Sequence, residues 1–188
     1  MTARTASLIL LLTAVTLLAS TTLGAANIQD LQVTHDDGSY SVAFDVIIGA
    51  EPALARQLLG DYTQWPRLSK ALKESELLET FPDGRQRLRL RFHSCVLIFC
   101  KTILQIKDME KRPNGDLLTI IVPEDSDFAA GWERWEIRSE HDHTRVRYHA
   151  ELVPDFSLPP LIGPWILKMK LRRRLTVTAE RLEALGAE

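Results

Sequence analysis

Residues 158–185, LPPLIGPWILKMKLRRRLTVTAERLEAL, decide the fold of this 188-residue chain. Prolines near the start of the stretch suit a helix entrance, where a fixed φ helps and a missing N–H costs little. Apolar side chains then recur at steps of three and four residues, which predicts one amphipathic helix of roughly 35 Å. These positions are Leu167, Leu171, Leu175, Thr178, Leu182 and Leu185. Because a single long helix needs a large apolar partner, we expect a sheet that curves around it.

The first 26 residues have the composition of an export signal. Arg4 supplies a positive start, Ser7–Leu18 is an apolar run, and small residues precede Ala26. The run is shorter than the roughly 20 residues that span a bilayer, so an uncleaved anchor is the less favoured alternative. We therefore expect residues 1–26 to be a signal peptide, residues 27–188 to form one domain, and the protein to be exported to the periplasm or, alternatively, secreted.

The charge balance does not favour a nucleic-acid partner. The chain contains 23 Lys and Arg against 25 Asp and Glu, for a net charge of −2. Proteins that bind nucleic acids usually carry a basic surplus that neutralises phosphates. We accordingly expect no nucleic acid among the partners.

The rest of the chain alternates with a period close to two. Tyr40–Ile48 is the first clear strand, Pro52–Leu59 reads as a short helix, and residues 66–72 form a second helical turn or two. Six further strands, joined by breaks with turn chemistry, predict an antiparallel meander. Their ranges are 74–81, 85–95, 100–109, 116–122, 131–139 and 144–153. The predicted fold is α+β: a seven-stranded antiparallel sheet, two short helices after the first strand, and the long C-terminal helix.

This order of elements, together with short sequence motifs, resembles the START-like (SRPBCC, helix-grip) superfamily, and particularly its polyketide cyclase and coenzyme Q-binding branch. The matching segments are Ala50–Pro66 (AEPALARQLLGDYTQWP), Thr144–Tyr148, Pro154–Pro159 and the final helix. The resemblance implies a sheet that grips the C-terminal helix, with an apolar cavity between them. Members bind lipids, sterols, quinones or polyketides, and some are enzymes.

From this resemblance we expect non-enzymatic binding or transport of a hydrophobic small molecule (lipid, quinone or polyketide-like) in that cavity, in a protein that is a monomer by default. We expect aromatic and aliphatic side chains to form the cavity wall, with Asp61 and Tyr148 orienting a polar head. The predicted ligand contacts are Asp61, Tyr62, Trp65, Leu90, Phe92, Ile120, Trp135, Tyr148, Trp165 and Leu171. The alternative is a cyclase or hydrolase that uses the same cavity, with Asp61 or Glu124 as proton carrier.

No motif in the sequence demands catalysis or a cofactor. The chain has no G-x-S-x-G, no phosphate-binding glycine loop and no Cys–His pair with a supporting acid. His141 and His143 lie in a predicted turn, where we expect them to be solvated instead of bound to metal. We predict no catalytic residue, no cofactor and no metal ligand.

The two cysteines, Cys95 and Cys100, indicate a disulfide in an exported chain. Residues five apart on one straight strand point to opposite faces. If Val96–Phe99 forms a four-residue hairpin loop, however, the cysteines become a closing cross-strand pair. Buried free thiols are the alternative, and a metal site lacks further cysteine ligands.

Two segments raise the possibility of contact with a membrane surface. The hairpin tip consists of Val96, Leu97, Ile98 and Phe99, which are apolar where polar residues are usual. The start of the final helix combines Trp165 with Lys168, Lys170, Arg172, Arg173 and Arg174, a composition typical of interfacial helices. The alternatives are a tip folded onto the core and a solvated basic face paired with Glu180 and Glu183.

Overall fold

The computed structural model describes residues 27–96, 98–156 and 164–186, so the predicted signal peptide lies outside the described residues. The strands are β1 Asn27–Asp36, β2 Ser39–Ile48, β3 Leu72–Thr80, β4 Gln86–Val96, β5 Phe99–Lys111, β6 Leu117–Ile121, β7 Phe128–Glu140 and β8 His143–Pro154. The helices are α1 Pro52–Gly60, α2 Trp65–Leu68 and α3 Pro164–Gly186, with a 3-10 turn at Tyr62–Gln64 between α1 and α2. The 23 residues of α3 correspond to about 35 Å, as predicted.

The strands form one antiparallel sheet in the order β1-β2-β8-β7-β6-β5-β4-β3. The helix α3 packs against β1 and β2 near one edge. Near the other edge it reaches β4, where Lys170 Nζ donates a 2.8 Å hydrogen bond to the Cys95 carbonyl. Because one straight helix contacts both sides, the sheet must curve around it, as the sequence predicted.

The sheet has eight strands, and the prediction of seven is wrong. The additional strand is β1, which pairs with β2 along nearly its whole length and carries a register shift between Ile28 and Asp30. Only Leu31 is buried in β1, and most of its other side chains are exposed. A strand that buries so few apolar side chains lacks the alternation by which strands are recognised.

The core lies between the concave face of the sheet and the helices α1 and α3. Strand β2 shows why: Val42, Phe44, Val46 and Ile48 are all buried and alternate with less buried residues. Such alternation directs one face of an antiparallel strand to the core and the other to water. The buried cluster also contains Leu58, Leu59, Leu68, Ile137, Val146, Ala179 and Leu182.

The outer face of the sheet is covered by paired charges. Arg87 forms two hydrogen bonds with Asp108, at 2.7 and 2.9 Å. Next along β4, Arg89 pairs with Glu76, and Arg91 Nε lies 2.8 Å from a Glu74 carboxylate oxygen. Each arginine of this row therefore has a carboxylate partner from a neighbouring strand.

The predicted disulfide between Cys95 and Cys100 is present, with a Cα–Cα distance of 3.9 Å. The strands remain paired beyond it as far as Val96 opposite Phe99, so the connection consists of positions 97 and 98 instead of the predicted four residues. Leu97 and the side chains of Val96 and Phe99 lie outside the described residues. Ile98 is 88% exposed, which contradicts a tip folded onto the core at this position.

Candidate functional site: a cavity and its basic mouth

A cavity of about 240 Å³ lies between the concave face of the sheet and the helices α1, α2 and α3. Most of its wall is aliphatic or aromatic, which suits an apolar ligand. This part consists of Val42, Phe44, Leu59, Trp65, Leu68, Ala71, Leu72, Phe92, Trp135, Tyr148, Leu171 and Leu175. Polar groups come from Ser69, Lys107, Glu133, Arg174 and Thr178. The cavity therefore combines a large apolar surface with a few polar groups.

A buried ion pair forms one wall of the cavity. Lys107 Nζ on β5 lies 2.6 Å from Glu133 Oε2 on β7, and the two side chains are only 3% and 8% exposed. Thr119 Oγ1, on the strand between them, donates a 2.9 Å hydrogen bond to the same carboxylate oxygen. The ammonium also lies 5.3 Å from the centre of the Trp65 ring, within cation–π range. Three adjacent strands and α2 thus fix this cluster.

Tyr148 brings a hydroxyl to the same region. Its ring stacks on Phe44 with centroids 5.0 Å apart and packs against Trp135 at 4.5 Å. Burial raises the pKa of Tyr148 well above its usual value, and the neighbouring Glu133 carboxylate raises it further. The phenol therefore keeps its proton at neutral pH and remains a hydrogen-bond donor.

Half of the predicted ligand contacts lie at the cavity wall. They are Trp65, Phe92, Trp135, Tyr148 and Leu171, which come from α2, three strands and the apolar stripe of α3. As predicted, Trp132 and Trp135 point to opposite faces of β7, and Trp132 is 39% exposed on the outer face. Phe92, Trp135, Tyr148 and Leu171 follow the periodicities of the predicted strands and helix, whereas Trp65 belongs to the segment Ala50–Pro66 that carries the family resemblance.

The other five predicted contacts lie elsewhere. Asp61 accepts hydrogen bonds from the Thr63 backbone N–H at 3.0 Å and from its hydroxyl at 2.6 Å, so it stabilises the turn after α1. Leu90 is fully buried but does not reach the cavity wall, and neither does the half-buried Tyr62. Ile120 and Trp165 are 53% and 68% exposed.

Ile120 illustrates why these inward assignments are corrected. Strand β6 has apolar residues on both faces, and the structure buries Leu117, Thr119 and Ile121. A strand without clean alternation does not reveal which set faces the core. The two residues predicted as proton carriers for an enzyme do not line the cavity either, because Glu124 is exposed and Asp61 caps a turn.

Lys107 and Glu133 were not among the predicted site residues. The signal was present, since Trp135 and Ile137 define the inward face of β7 and Glu133 shares their parity. On β5, Lys107 likewise stands between the buried Gln105 and Met109. Opposite charges at inward positions of two nearby strands therefore indicate a buried ion pair.

An open groove of about 440 Å³ adjoins the cavity, and we call it the basic groove. It runs between α3 and the segment joining α2 to β3, and shares Leu68, Ser69, Ala71, Arg174 and Thr178 with the cavity wall. Its charged and titratable lining consists of Lys70, His93, Lys170, Arg173, Arg174 and Arg181. The predicted pairing of the helix cations with Glu180 and Glu183 does not appear among the described residues. Glu183 instead accepts a 2.8 Å hydrogen bond from the Gly49 backbone.

The only metal-like grouping among the described residues is His93, Cys95 and Cys100, whose ligand atoms lie within 4.8 Å of one another. The two sulfur atoms are bonded to each other, so neither offers a thiolate. The group thus presents a single imidazole.

The sheet, the gripped helix and the largely apolar cavity between them define a helix-grip fold. The chain belongs to the family described as polyketide cyclase/dehydrase and lipid transport, whose model matches residues 48–179. No curated protein shows a significant match to the sequence.

Solved structures share the fold at low sequence identity. A START superfamily protein from Mycobacterium smegmatis has a TM-score of 0.61 at 17% identity, covering 77% of this chain and 98% of that one. The STAR-related lipid transfer protein from Xanthomonas axonopodis has a TM-score of 0.57 at 16% identity, with coverages of 81% and 98%. The Zhui aromatase/cyclase from Streptomyces sp. R1128 has a TM-score of 0.61 at 14% identity, with coverages of 79% and 94%. The fold is thus common to a lipid transfer protein and an enzyme.

Proposed function

We propose that this protein binds and carries a hydrophobic small molecule, lipid, quinone or polyketide-like, in the cavity between the sheet and α3. The observation that carries the proposal is the largely apolar cavity of about 240 Å³ with a buried polar cluster in its wall. Moving apolar ligand surface from water into such a site is favourable by about 25 cal/mol per Å². Among the comparisons, the family description and the Xanthomonas structure name lipid transport or transfer.

The polar cluster would orient the bound molecule. Tyr148 offers a phenolic proton, and the Lys107 ammonium lies beside Glu133 at the same wall. A ligand carbonyl or hydroxyl that reaches this wall gains a hydrogen bond in a water-poor site. A purely apolar ligand would leave the cluster as it is, since Lys107 and Glu133 already satisfy each other. Export to the periplasm and a monomeric state are part of the same proposal.

A fluorescence titration tests the proposal. We expect phenylnaphthylamine, a neutral apolar probe, to bind saturably to the purified protein and to quench Trp65 and Trp135. Ala71→Phe should abolish this binding, because Ala71 lies in the cavity wall at the mouth. Ala130→Phe is the matched control, since Ala130 is exposed on β7. Circular dichroism would show that both variants are folded.

Equal probe affinity in the two alanine variants would rule out the cavity as the binding site, as would no saturable binding by the parent protein. Native mass spectrometry of the exported protein, compared with denaturing spectra, would supply the mass of any ligand that remains bound through purification.

A second candidate is an enzyme that uses the same cavity. Glu133 is the one carboxylate among the cavity-lining residues that the structure describes, so a proton carrier there would be Glu133 instead of Asp61 or Glu124. Two solved relatives in fold are named as aromatase/cyclases. Glu133→Gln should then keep probe binding but lose turnover of a polyketide substrate. Unchanged turnover would remove this candidate.

A membrane-surface role is a third candidate, favoured by exposed apolar side chains at one end of the molecule. Ile98 is 88% exposed, and Trp165 and Met169, one turn apart on α3, are 68% and 57% exposed. The Lys170–Cys95 hydrogen bond holds the hairpin beside this part of α3. Ile98→Asp should reduce flotation with phosphatidylglycerol vesicles, whereas Ile120→Asp, on the outer face of β6, should not. No helix in the described ranges is long and apolar enough to cross a bilayer.

A further inference from the structure

The basic groove concentrates cations without acids. Five Lys or Arg side chains line it, together with His93, and no Asp or Glu belongs to the lining among the residues that the structure describes. The chain as a whole has a net charge of −2, so this concentration does not reflect a basic protein. A concave surface of one sign attracts a counter-ion more strongly than scattered charges do.

Three cations of the groove donate hydrogen bonds to neutral atoms. Lys170 donates to the Cys95 carbonyl at 2.8 Å, and Arg174 donates to Ser94 Oγ at 2.7 Å. Arg181 lies 3.3 Å from the Leu68 carbonyl oxygen. These bonds orient the side chains, and no Asp or Glu in the described ranges forms an ion pair with them.

The outer face of the sheet provides the contrast. Arg87 and Arg91 each meet a carboxylate there. In the described parts of the chain, no ion pair joins Lys70, Arg173 or the other cations of the groove to an acid, although acids outnumber bases overall. Unpaired cations therefore cluster in this groove, although others in the described residues, such as Lys73 and Lys111, lie outside it.

The groove lies at the mouth of the cavity. Ser69, Ala71 and Arg174 line both the groove and the cavity, so the two spaces meet at these residues. Arg174 is half-buried, and burial lowers the pKa of its guanidinium from the usual value. A half-buried guanidinium gains most from a bound anion, because a charge-assisted hydrogen bond is stronger than a neutral one.

We propose that the basic groove binds the anionic head group, a carboxylate or a phosphate, of an amphiphile whose apolar chain occupies the cavity. This inference rests on the proposed function, since it assigns the chain to the same cavity. Guanidinium groups suit the task because their planar donors match the oxygens of carboxylates and phosphates. Arg174 would contact the head group where it joins the chain, and Arg173 and Lys70 would face it from the open side.

The test compares two ligands that share a chain and differ in the head group. Dodecyl phosphate and dodecanol would each be titrated against protein loaded with phenylnaphthylamine, and their affinities obtained from displacement of the probe. We expect dodecyl phosphate to bind at least about tenfold more tightly at low salt, which corresponds to one charge-assisted hydrogen bond. This preference should shrink as salt screens the exposed part of the groove.

Variants separate the groove from the cavity. Lys70→Met combined with Arg173→Met, at two positions that line the groove and not the cavity, should sharply reduce the preference for dodecyl phosphate while leaving the affinity for phenylnaphthylamine within about twofold of the parent. Arg172→Met is the matched control, because Arg172 lies on the same helix and does not line the groove. It should retain the preference.

Two results would overturn the inference. One is the lack of a preference that depends on the groove, seen either as equal affinity for the two ligands or as a preference that is unchanged after loss of both Lys70 and Arg173. The other is inorganic phosphate binding as tightly as dodecyl phosphate, which would mean that the groove binds a free anion independently of the cavity. In either case, saturable binding of the neutral probe would leave the proposed function standing. Absence of probe binding would instead refute the proposed function.

Discussion

The buried Lys107–Glu133 pair gives the sharpest test of how this fold is stabilised. With side-chain exposures of 3% and 8%, neither charge reaches bulk water. Replacing only Lys107 by Met leaves a buried carboxylate whose remaining partners are neutral donors such as Thr119. Replacing only Glu133 by Leu leaves a buried ammonium over the Trp65 ring. Each single change should lower the free energy of unfolding by about 3–5 kcal/mol, the cost typical of an orphaned buried charge.

The double variant, Lys107→Met with Glu133→Leu, should be more stable than either single variant. Removing both charges also removes the desolvation penalty that the pair carries, and apolar replacements of similar volume are often neutral or better. The remaining cost comes from the hydroxyls of Thr119 and Tyr148, which lose the Glu133 carboxylate as acceptor and contribute about 1–3 kcal/mol each. The two mutations should therefore be strongly coupled, by several kcal/mol in a double-mutant cycle.

The measurement is equilibrium unfolding in urea with the disulfide intact, with coincident fluorescence and circular dichroism transitions as the check for two-state behaviour. A matched control is the exposed pair Arg91–Glu74, 2.8 Å apart, with side-chain exposures of 42% and 54%. The same cycle there should give at most about 1 kcal/mol of coupling. If the buried and exposed pairs show equal coupling, or if the buried double variant loses the sum of the single costs, the reasoning from burial is refuted.

Three further predictions concern stability. Replacing Cys95 and Cys100 by Ala should lower the free energy of unfolding by about 2 kcal/mol, the loop-entropy value for so short a ring; reducing agent should destabilise the parent equally and leave the variant unchanged. For Asp116, burial favours a higher pKa, but hydrogen bonds from its arginine and asparagine neighbours outweigh it and lower the pKa. The stability that this carboxylate contributes is then present above about pH 4 and is lost as the pH falls further. Asp116→Asn should therefore be less stable than the parent at pH 7, and acid-unfolding curves should show this difference narrowing towards about pH 2. A difference in stability that stays constant with pH would contradict the argument. Gly131→Ala should cost about 1–3 kcal/mol, because a Cβ at this position would lie 2.9 Å from the Glu151 carbonyl oxygen; an unchanged urea midpoint would show that the strands can separate to admit it.

Most of the fold could be predicted from the sequence because its elements have strong periodicity. The apolar stripe of α3 and the alternation of apolar and polar residues in β2 each indicate which face of the element packs against the core. The disulfide followed from an even cysteine count and hairpin geometry. Strand β1 was missed because Leu31 is its only buried residue, so its pairing depends on backbone hydrogen bonds with β2 that leave no trace in side-chain pattern.

The site was less predictable, since periodicity gives the face of a residue and not its depth. Phe92 and Leu90 share a face of β4, yet Phe92 reaches the cavity and Leu90 is sealed beneath other side chains. Asp61 was predicted to orient the polar head of a ligand, but it accepts a hydrogen bond within its own turn, and turns need such local acceptors. Which polar residue caps a turn and which faces a ligand depends on the packing of the whole chain.

The arrangement of charge is the feature that joins fold and site. Charges on the outer face of the sheet are paired at the surface, where each pair contributes little to stability. Lys107 and Glu133 are paired in the interior, where a lone charge would be very costly. In the part of the chain that the structure describes, the cations of the basic groove follow neither pattern, since Lys170 and Arg174 donate to neutral acceptors beside the mouth of the cavity and no acid pairs with them. Unpaired cations around an apolar opening do not stabilise the fold by ion pairing. An amphiphile with a negative head group would neutralise these cations and fill the apolar cavity at the same time.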